Sequence, residues 1–246
     1  MRKSLLVMSG KGGVGKTTIA VNLAYFLYKK GFQVGLLDVD IHGPNALKML
    51  GYDNVSLEIK DNKLQPFKVD SNFKISSIAG YIDDESAVIW RGPRKHSAIK
   101  QLSQDVEWGE LDYLIVDFPP GTGDEHISTA QLLPDIYGAI IISTPQKVSL
   151  MDMTRSIDFC NQMNITILGA IENMSGGIFG SDTVQEKCKQ KNVPYLGKIN
   201  LSKTIIDSSE NGKSFIESKD IKLNKNFENI VNIIIGGKKN ENSNNC

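Results

Sequence analysis

Residues Gly10 to Thr17 read Gly-Lys-Gly-Gly-Val-Gly-Lys-Thr and follow directly on the apolar run Leu5-Leu6-Val7-Met8. This junction restricts the fold more than any other part of the chain. The apolar run reads as a buried strand. Beyond the glycines, Ile19, Leu23, Phe26 and Leu27 recur at helical spacing up to Gly31, a C-terminal stop. A strand must therefore pass through a glycine-rich turn straight into a helix. The turn itself fits Gly, four residues, Gly, Lys, then Ser or Thr, the pattern of a phosphate-binding loop.

The chemistry of that pattern is local. Phosphates carry dense negative charge and need many donors in a small volume. Glycine accepts φ > 0, so Gly10, Gly12, Gly13 and Gly15 can turn successive backbone N–H groups inward, with Val14 between them. Lys16 reaches the β- and γ-phosphates as a point charge, and the Thr17 hydroxyl ligates Mg²⁺. Thr18 continues into the helix, whose N-terminal dipole favours an anion. Lys11 is a second lysine that the basic pattern does not require.

Bulk properties narrow the class. A chain of 246 residues suits one α/β domain. Lys plus Arg and Asp plus Glu both total 28, so composition gives no case for a nucleic-acid partner. Apolar runs such as Ile140-Ile141-Ile142 are too short to span a bilayer, and residues 1–8 lack the apolar core of a signal peptide. The expectation is a cytoplasmic protein without stable membrane association. Three scattered cysteines, Cys160, Cys188 and Cys246, form no paired framework.

Strand-like runs fall at 4–8, 33–38, 73–79, 112–117, 137–143, 165–171 and 195–199. Helical patterns fall at 16–30, 44–50, 93–104, 125–133, 147–163, 182–191, 202–211 and 225–235. Several runs are apolar throughout, as strands covered on both faces are. The alternation predicts a mostly parallel central sheet with helices on both faces. Residues 52–72 read as irregular or hairpin-like. The domain is expected over 1–236, with 237–246 a polar disordered tail.

In such sheets ligands sit beyond the carboxyl ends of the strands. Asp38 and Asp40 end the run 33–38 and are two apart, so in extended chain both carboxylates face one side, towards a γ-phosphate or its attacking water. The same Asp-x-Asp-x-His-Gly-Pro stretch also reads as a surface turn. Asp117 ends the run Tyr113–Val116 and takes the position of a Mg²⁺-region carboxylate, giving a metal set of Thr17, Asp38 and Asp117. The segment Phe118-Pro-Pro-Gly-Thr-Gly-Asp124 joins stiff and pliable parts and suits a hydrolysis-sensitive switch; an ordinary connection with Asp124 as N-cap is the other reading. Asn173 has an amide that can pair with a base edge or with its own backbone. Arg91 in Trp90-Arg-Gly-Pro93 reads as a solvated arginine, or as a contact to an anion or partner. His42, His96 and His126 show no metal-ligand spacing. Cys160 reads as core, and Cys188, among Lys and Gln, as exposed. The apolar run Ile230–Ile235 is expected to dock on the domain's own core rather than on a membrane.

Several stretches together resemble a known family. Lys11-Gly-Gly-Val-Gly-Lys-Thr17 is similar to the deviant phosphate loop of the P-loop NTPases that include MinD, ParA and the nitrogenase iron protein. Leu36-Leu-Asp-Val-Asp-Ile-His-Gly-Pro44, Trp90-Arg-Gly-Pro93, Asp112–Asp124, Thr144-Pro145 and Ile171-Glu-Asn-Met-Ser175 resemble the Mrp-type ATPases, iron–sulfur cluster carriers and scaffolds. The resemblance implies a homodimer closing over two ATP molecules. Lys11, Lys16 and Asp40 would be the catalytic set, with Lys11 reaching the partner's nucleotide and Asp40 orienting the attacking water. Asp117 would serve Mg²⁺, and Asn173 the adenine. Iron–sulfur client proteins would be partners. Two departures stand out. Family members with cluster activity usually carry Cys-x-x-Cys shortly after Glu-Asn-Met-Ser, whereas here Ser175 runs into Gly176-Gly-Ile-Phe-Gly-Ser181. Soft cluster sites need several converging thiolates, so the resemblance implies the carrier role without its usual ligands. Asn200 replaces a proline and alters a loop. The competing class is a MinD-like, nucleotide-switched positioning protein.

Overall fold

The computed structural model describes residues 2–40, 43–52, 55–61, 63–81, 92–121 and 123–236. Ten strands and seven α-helices alternate along it. The strands are β1 (Lys3–Ser9), β2 (Val34–Asp38), β3 (Ile59–Lys60), β4 (Lys63–Leu64), β5 (Phe67–Asp70), β6 (Phe73–Ser77), β7 (Tyr113–Pro120), β8 (Ile136–Ser143), β9 (Ile167–Ser175) and β10 (Tyr195–Asn200). The helices are α1 (Lys16–Lys29), α2 (Gly92–Gln104), α3 (Asp124–Leu132), α4 (Lys147–Gln162), α5 (Thr183–Lys191), α6 (Lys203–Glu210) and α7 (Ile221–Gly236). Eight strands form one sheet in the order β10-β9-β8-β1-β7-β2-β6-β5. Every ladder in it is parallel except β5 on β6. β3 and β4 make a separate antiparallel hairpin, within the segment read as hairpin-like.

The strand sequences explain the layering. Successive side chains on a strand point to opposite faces. On β1, Leu5 and Val7 join the core beneath α1 and α7, while Leu6 and Met8 join the opposite core with α2, α3 and α4. Tyr113 and Ile115 separate from Leu114, Val116 and Phe118 on β7 in the same way. With both faces covered, these strands have no polar side to show.

Four expectations change. The pattern at 44–50 yields only a 3-10 turn at Lys48–Leu50, since the preceding chain is held by contacts to a carboxylate described below. β7 continues through Pro119 and Pro120, and β9 through Ser175. Asp117 therefore lies inside a strand rather than at its end, and Asn173 within a strand rather than after it. The last helix begins at Ile221 rather than 225 and docks on the domain as expected: Leu223, Phe227, Ile230, Val231 and Ile234 are buried. A Cβ added at Gly197 of β10 would meet Ile230 Cγ1 at 3.0 Å, so that glycine admits α7 close to the sheet. Finally, Cys188 is buried, not exposed, packed with Ile141, Met153 and Val184. Cys160 is core as read. No described helix is long and apolar enough to cross a membrane. Trp90, Arg91, His42, Thr122, Cys246 and the tail 237–246 lie outside the described residues.

Candidate functional site

The loop Gly10–Gly15 leaves β1 at the carboxyl edge of the sheet and opens α1 at Lys16. Gly13 and Gly15 have φ of +78° and +82°, a left-handed geometry in which a side chain is strained. Gly15 has a second reason to be glycine: an added Cβ would lie 2.2 Å from Asn173 Nδ2. That amide donates to the Val14 carbonyl at 2.8 Å, so the tip of β9 holds the loop from beneath. Gly10 permits another close approach, with its missing Cβ 2.1 Å from the Asp152 carbonyl of α4. Ser9 Oγ donates to the Lys11 carbonyl at 2.9 Å. The Lys11 side chain is exposed at the rim.

Lys16 and Thr17 converge on one carboxylate. Lys16 Nζ lies 2.6 Å from Asp117 Oδ1, and the Thr17 hydroxyl donates to Asp117 Oδ2 at 2.6 Å. Asp117 is fully buried. Burial raises its pKa, and the Lys16 charge and the two hydrogen bonds oppose that shift.

Asp38 pairs in register with Asp117 on the adjacent strand, so two buried carboxylates stand side by side. Burial, and then the charge of Asp117, push the Asp38 carboxyl up to about 7. Its oxygens accept from the backbone N–H groups of Asp40 and Ala46, each at 3.1 Å, and from Ser77 Oγ at 3.3 Å. Asp38 thus anchors the chain that leaves β2 and stands behind the cavity wall. Asp40 lines the cavity itself.

The cavity above the loop has a volume of about 840 Å³. Lys11, Gly12, Gly13, Lys16, Thr17 and Thr18 form one wall, and Asn45, Lys48, Met49 and Ser209–Gly212 face them. Nothing in the sequence marks this far wall. Gly51 and Gly212 build it by crossing: both have positive φ, and a Cβ on Gly212 would sit 2.4 Å from Gly51 Cα. Asn22 of α1 ties the wall to the loop helix, its Oδ1 accepting from Ser214 Oγ at 2.6 Å and Phe215 N at 3.0 Å. An isolated mid-helix Asn carries no such signal in sequence. A side cleft of about 210 Å³ opens beyond Thr18, with Asn173 and Met174 at its base.

Glu172 also escaped the sequence reading. It is fully buried and accepts from Ser175 Oγ at 2.6 Å, Asp182 N at 2.9 Å and Val184 N at 3.0 Å. These bonds clamp both ends of the short glycine segment 176–181. Among the described residues the two thiols, Cys160 and Cys188, do not converge there. Burial pushes Cys188 up to about 11 and Cys160 up to about 12, which keeps both protonated and unreactive. Among the described residues no three His, Cys, Asp or Glu side chains are grouped as metal ligands are.

Comparison with known proteins places this geometry. A sequence model of the ParA family, described as NUBPL iron-transfer P-loop NTPase, matches residues 1–235. The chain belongs to this family. It is 43% identical to an iron–sulfur cluster carrier protein of Methanocaldococcus jannaschii, over 96% of this chain and 84% of that protein. It is 41% identical to mouse NUBP2, a cytosolic Fe-S cluster assembly factor, over 88% of this chain and 84% of that protein. Among solved structures, a nucleotide-binding protein of Archaeoglobus fulgidus in complex with ADP is 29% identical with a TM-score of 0.73, covering 87% of this chain and 90% of that one. MinD of Pyrococcus horikoshii, complexed with Mg-ADP, shares the fold at 22% identity and a TM-score of 0.77, over 96% and 98% of the two chains. As a P-loop NTPase of the iron-transfer family, the chain has the parallel α/β architecture that its strand–loop–helix opening predicts.

Proposed function

We propose that this chain binds Mg-ATP and hydrolyses it slowly as a homodimer, acting in iron–sulfur cluster assembly without the usual Cys-x-x-Cys ligands. The observation that carries the nucleotide reading is the convergence of Lys16, Thr17 and Asp117 under a glycine cradle. Thr17 and Asp117 supply hard oxygen donors 2.6 Å apart, a set that suits Mg²⁺. A bound triphosphate would draw Lys16 away from Asp117, and the cation would replace it beside that carboxylate. Charge on Asp117 is thus balanced before and after binding, which a buried carboxylate requires.

Within this reading the protein's residues divide the work. The loop N–H groups and Lys16 hold the β- and γ-phosphates. Asp40, facing the cavity, orients the attacking water. Lys11, exposed at the rim, reaches the partner's nucleotide. Asn173 secures the loop and borders the adenine cleft. Phosphoryl transfer needs little from the protein beyond positioning and charge stabilisation, and these groups supply both. The cytosolic naming of the mouse relative supports a cytoplasmic place of action, with iron–sulfur proteins as clients. The iron–sulfur ligand set does not fit the described residues of this chain, so no cluster step is assigned to them. A MinD-like positioning role is the weaker reading, because the apolar face of α7 is spent on β10 and its own core.

Calorimetric titration with Mg-ATP tests the nucleotide reading: wild type binds, and Lys16→Ala does not. Unchanged affinity in the variant would overturn it. Phosphate release separates slow turnover from an inert binder.

A further inference from the structure

We infer that His126 is a positioning residue for phosphoryl transfer, fixing the backbone that follows Asp117 through a hydrogen bond to the Pro119 carbonyl. The inference rests on the nucleotide reading above and adds to it a residue that the cavity lining does not include. β7 lies in the interior of the sheet, between β1 and β2, yet it ends in Pro119 and Pro120. Proline has no N–H to give to a neighbouring strand, so an interior strand tolerates it where the ladder is already irregular. The ladder is irregular here. From Val7 to Ser9 β1 advances two residues, while β7 advances three, from Asp117 to Pro120. The extra residue falls directly after the carboxylate that meets Lys16 and Thr17. Pro120 itself lines the phosphate cavity.

A stretch short of donors needs ties from elsewhere. Gly121 N donates to the Ser9 carbonyl at 3.1 Å. His126 supplies another tie. Its Nε2 lies 2.8 Å from the Pro119 carbonyl oxygen, which can only accept, so Nε2 carries the proton. His126 is buried in the first turn of α3, its ring edge-on to Phe118 and Phe159 with centroids 5.4 Å and 5.9 Å away. Packing of that kind needs only an aromatic ring; the donor aimed at Pro119 is what histidine adds. A triphosphate that draws Lys16 off Asp117 removes the ion pair from this strand end. The His126 bond is untouched by that exchange and keeps the carboxylate where the cation arrives.

Phosphate release and calorimetric titration with Mg-ATP, on the full chain, test the assignment with three substitutions. His126→Phe keeps a ring without the donor, and His126→Gln keeps a donor without the ring. His126→Met has nearly the length of His126→Gln and keeps neither. Circular dichroism confirms that each is folded. His126→Phe and His126→Met should bind Mg-ATP at full stoichiometry and within about threefold of the wild-type affinity. They should turn over about tenfold more slowly, the worth of one hydrogen bond, and need more Mg²⁺ for half-maximal rate. His126→Gln should stay within about threefold of the wild-type rate. A residue that served packing alone would lower binding stoichiometry and rate together. Wild-type turnover in His126→Phe and His126→Met overturns the assignment, as does a His126→Gln as slow as His126→Met. Should His126→Phe fail to fold, the comparison of His126→Gln with His126→Met decides. If wild type binds no Mg-ATP or releases no phosphate, the proposed activity itself falls before any variant is compared.

Discussion

Lys16 and Asp38 show how much of this site depends on placing charge out of water. Lys16 pairs directly with Asp117, while Asp38 makes no ion pair among the described residues and is held by two N–H groups and a hydroxyl. Its carboxyl, raised from 3.8 to about 7 by burial and then by Asp117, is the group that should set the pH response of the nucleotide-free protein. The folded value lies above the unfolded one. Its contribution is therefore complete below about pH 4 and is lost as pH rises through about 7. Thermal midpoints should fall between about pH 4 and pH 7, and Asp38→Asn should flatten that fall; equal slopes in the two proteins would refute the role. The sequence made Lys16, Thr17 and Asp117 legible because one loop and one neighbouring strand fix their relation. It treated Asp38 and Asp40 as equals through strand alternation. β2 stops at Asp38, however, so the alternation ends there and only Asp40 turns to the cavity. Cys188 misled for a similar reason. Its immediate neighbours are lysines, but on a helix its companion is Val184, four residues back and buried with it.

At the level of elements, strands were easy to read and the far wall of the site was not. Strands buried on both faces announce themselves by unbroken apolar runs. The wall formed by Lys48–Gly51 and Ser209–Gly212 depends on two glycines distant in sequence meeting backbone to backbone. Gly212→Ala adds a Cβ 2.4 Å from Gly51 Cα at a φ of +63°. We expect it to destabilise the fold by roughly 2 kcal/mol, from strain and displacement, and to weaken ATP binding as the end of α6 shifts. Denaturant unfolding and calorimetry read the two effects. The last helix gives a contrasting case. Phe227 is buried and meets Phe26 and Phe215 edge-on, with ring centroids 6.3 Å and 5.1 Å away. Phe227→Ala should cost about 3–5 kcal/mol in urea unfolding, the range for emptying a packed aromatic site. A loss below about 1 kcal/mol would mean that α7 is not part of the core.

Across the whole molecule, the sheet gathers Lys11, Lys16, Asp40 and Asp117 at one edge, and the glycine segment 176–181 follows the end of β9 in the same sheet. Glu172 closes that segment onto β9, and the two described thiols are buried elsewhere in the core. Anaerobic reconstitution should therefore leave the chain without a stoichiometric cluster, and Cys188→Ser should change nothing. One cluster per dimer by iron and sulfide assay would contradict this. Lys11 carries the matching test of the dimer. Its side chain lies exposed on the rim of its own cavity. If it completes the partner's site, Lys11→Ala should bind Mg-ATP within about threefold of wild type, because the loop, Lys16 and Thr17 are intact. It should nonetheless fail to dimerise with ATP and release phosphate at least tenfold more slowly, since the charge stabilisation supplied across the interface is lost. Sedimentation with and without Mg-ATP, paired with phosphate release, reads both. Hydrolysis at the wild-type rate by a variant that stays monomeric would show that each protomer works alone and that Lys11 is an ordinary surface lysine.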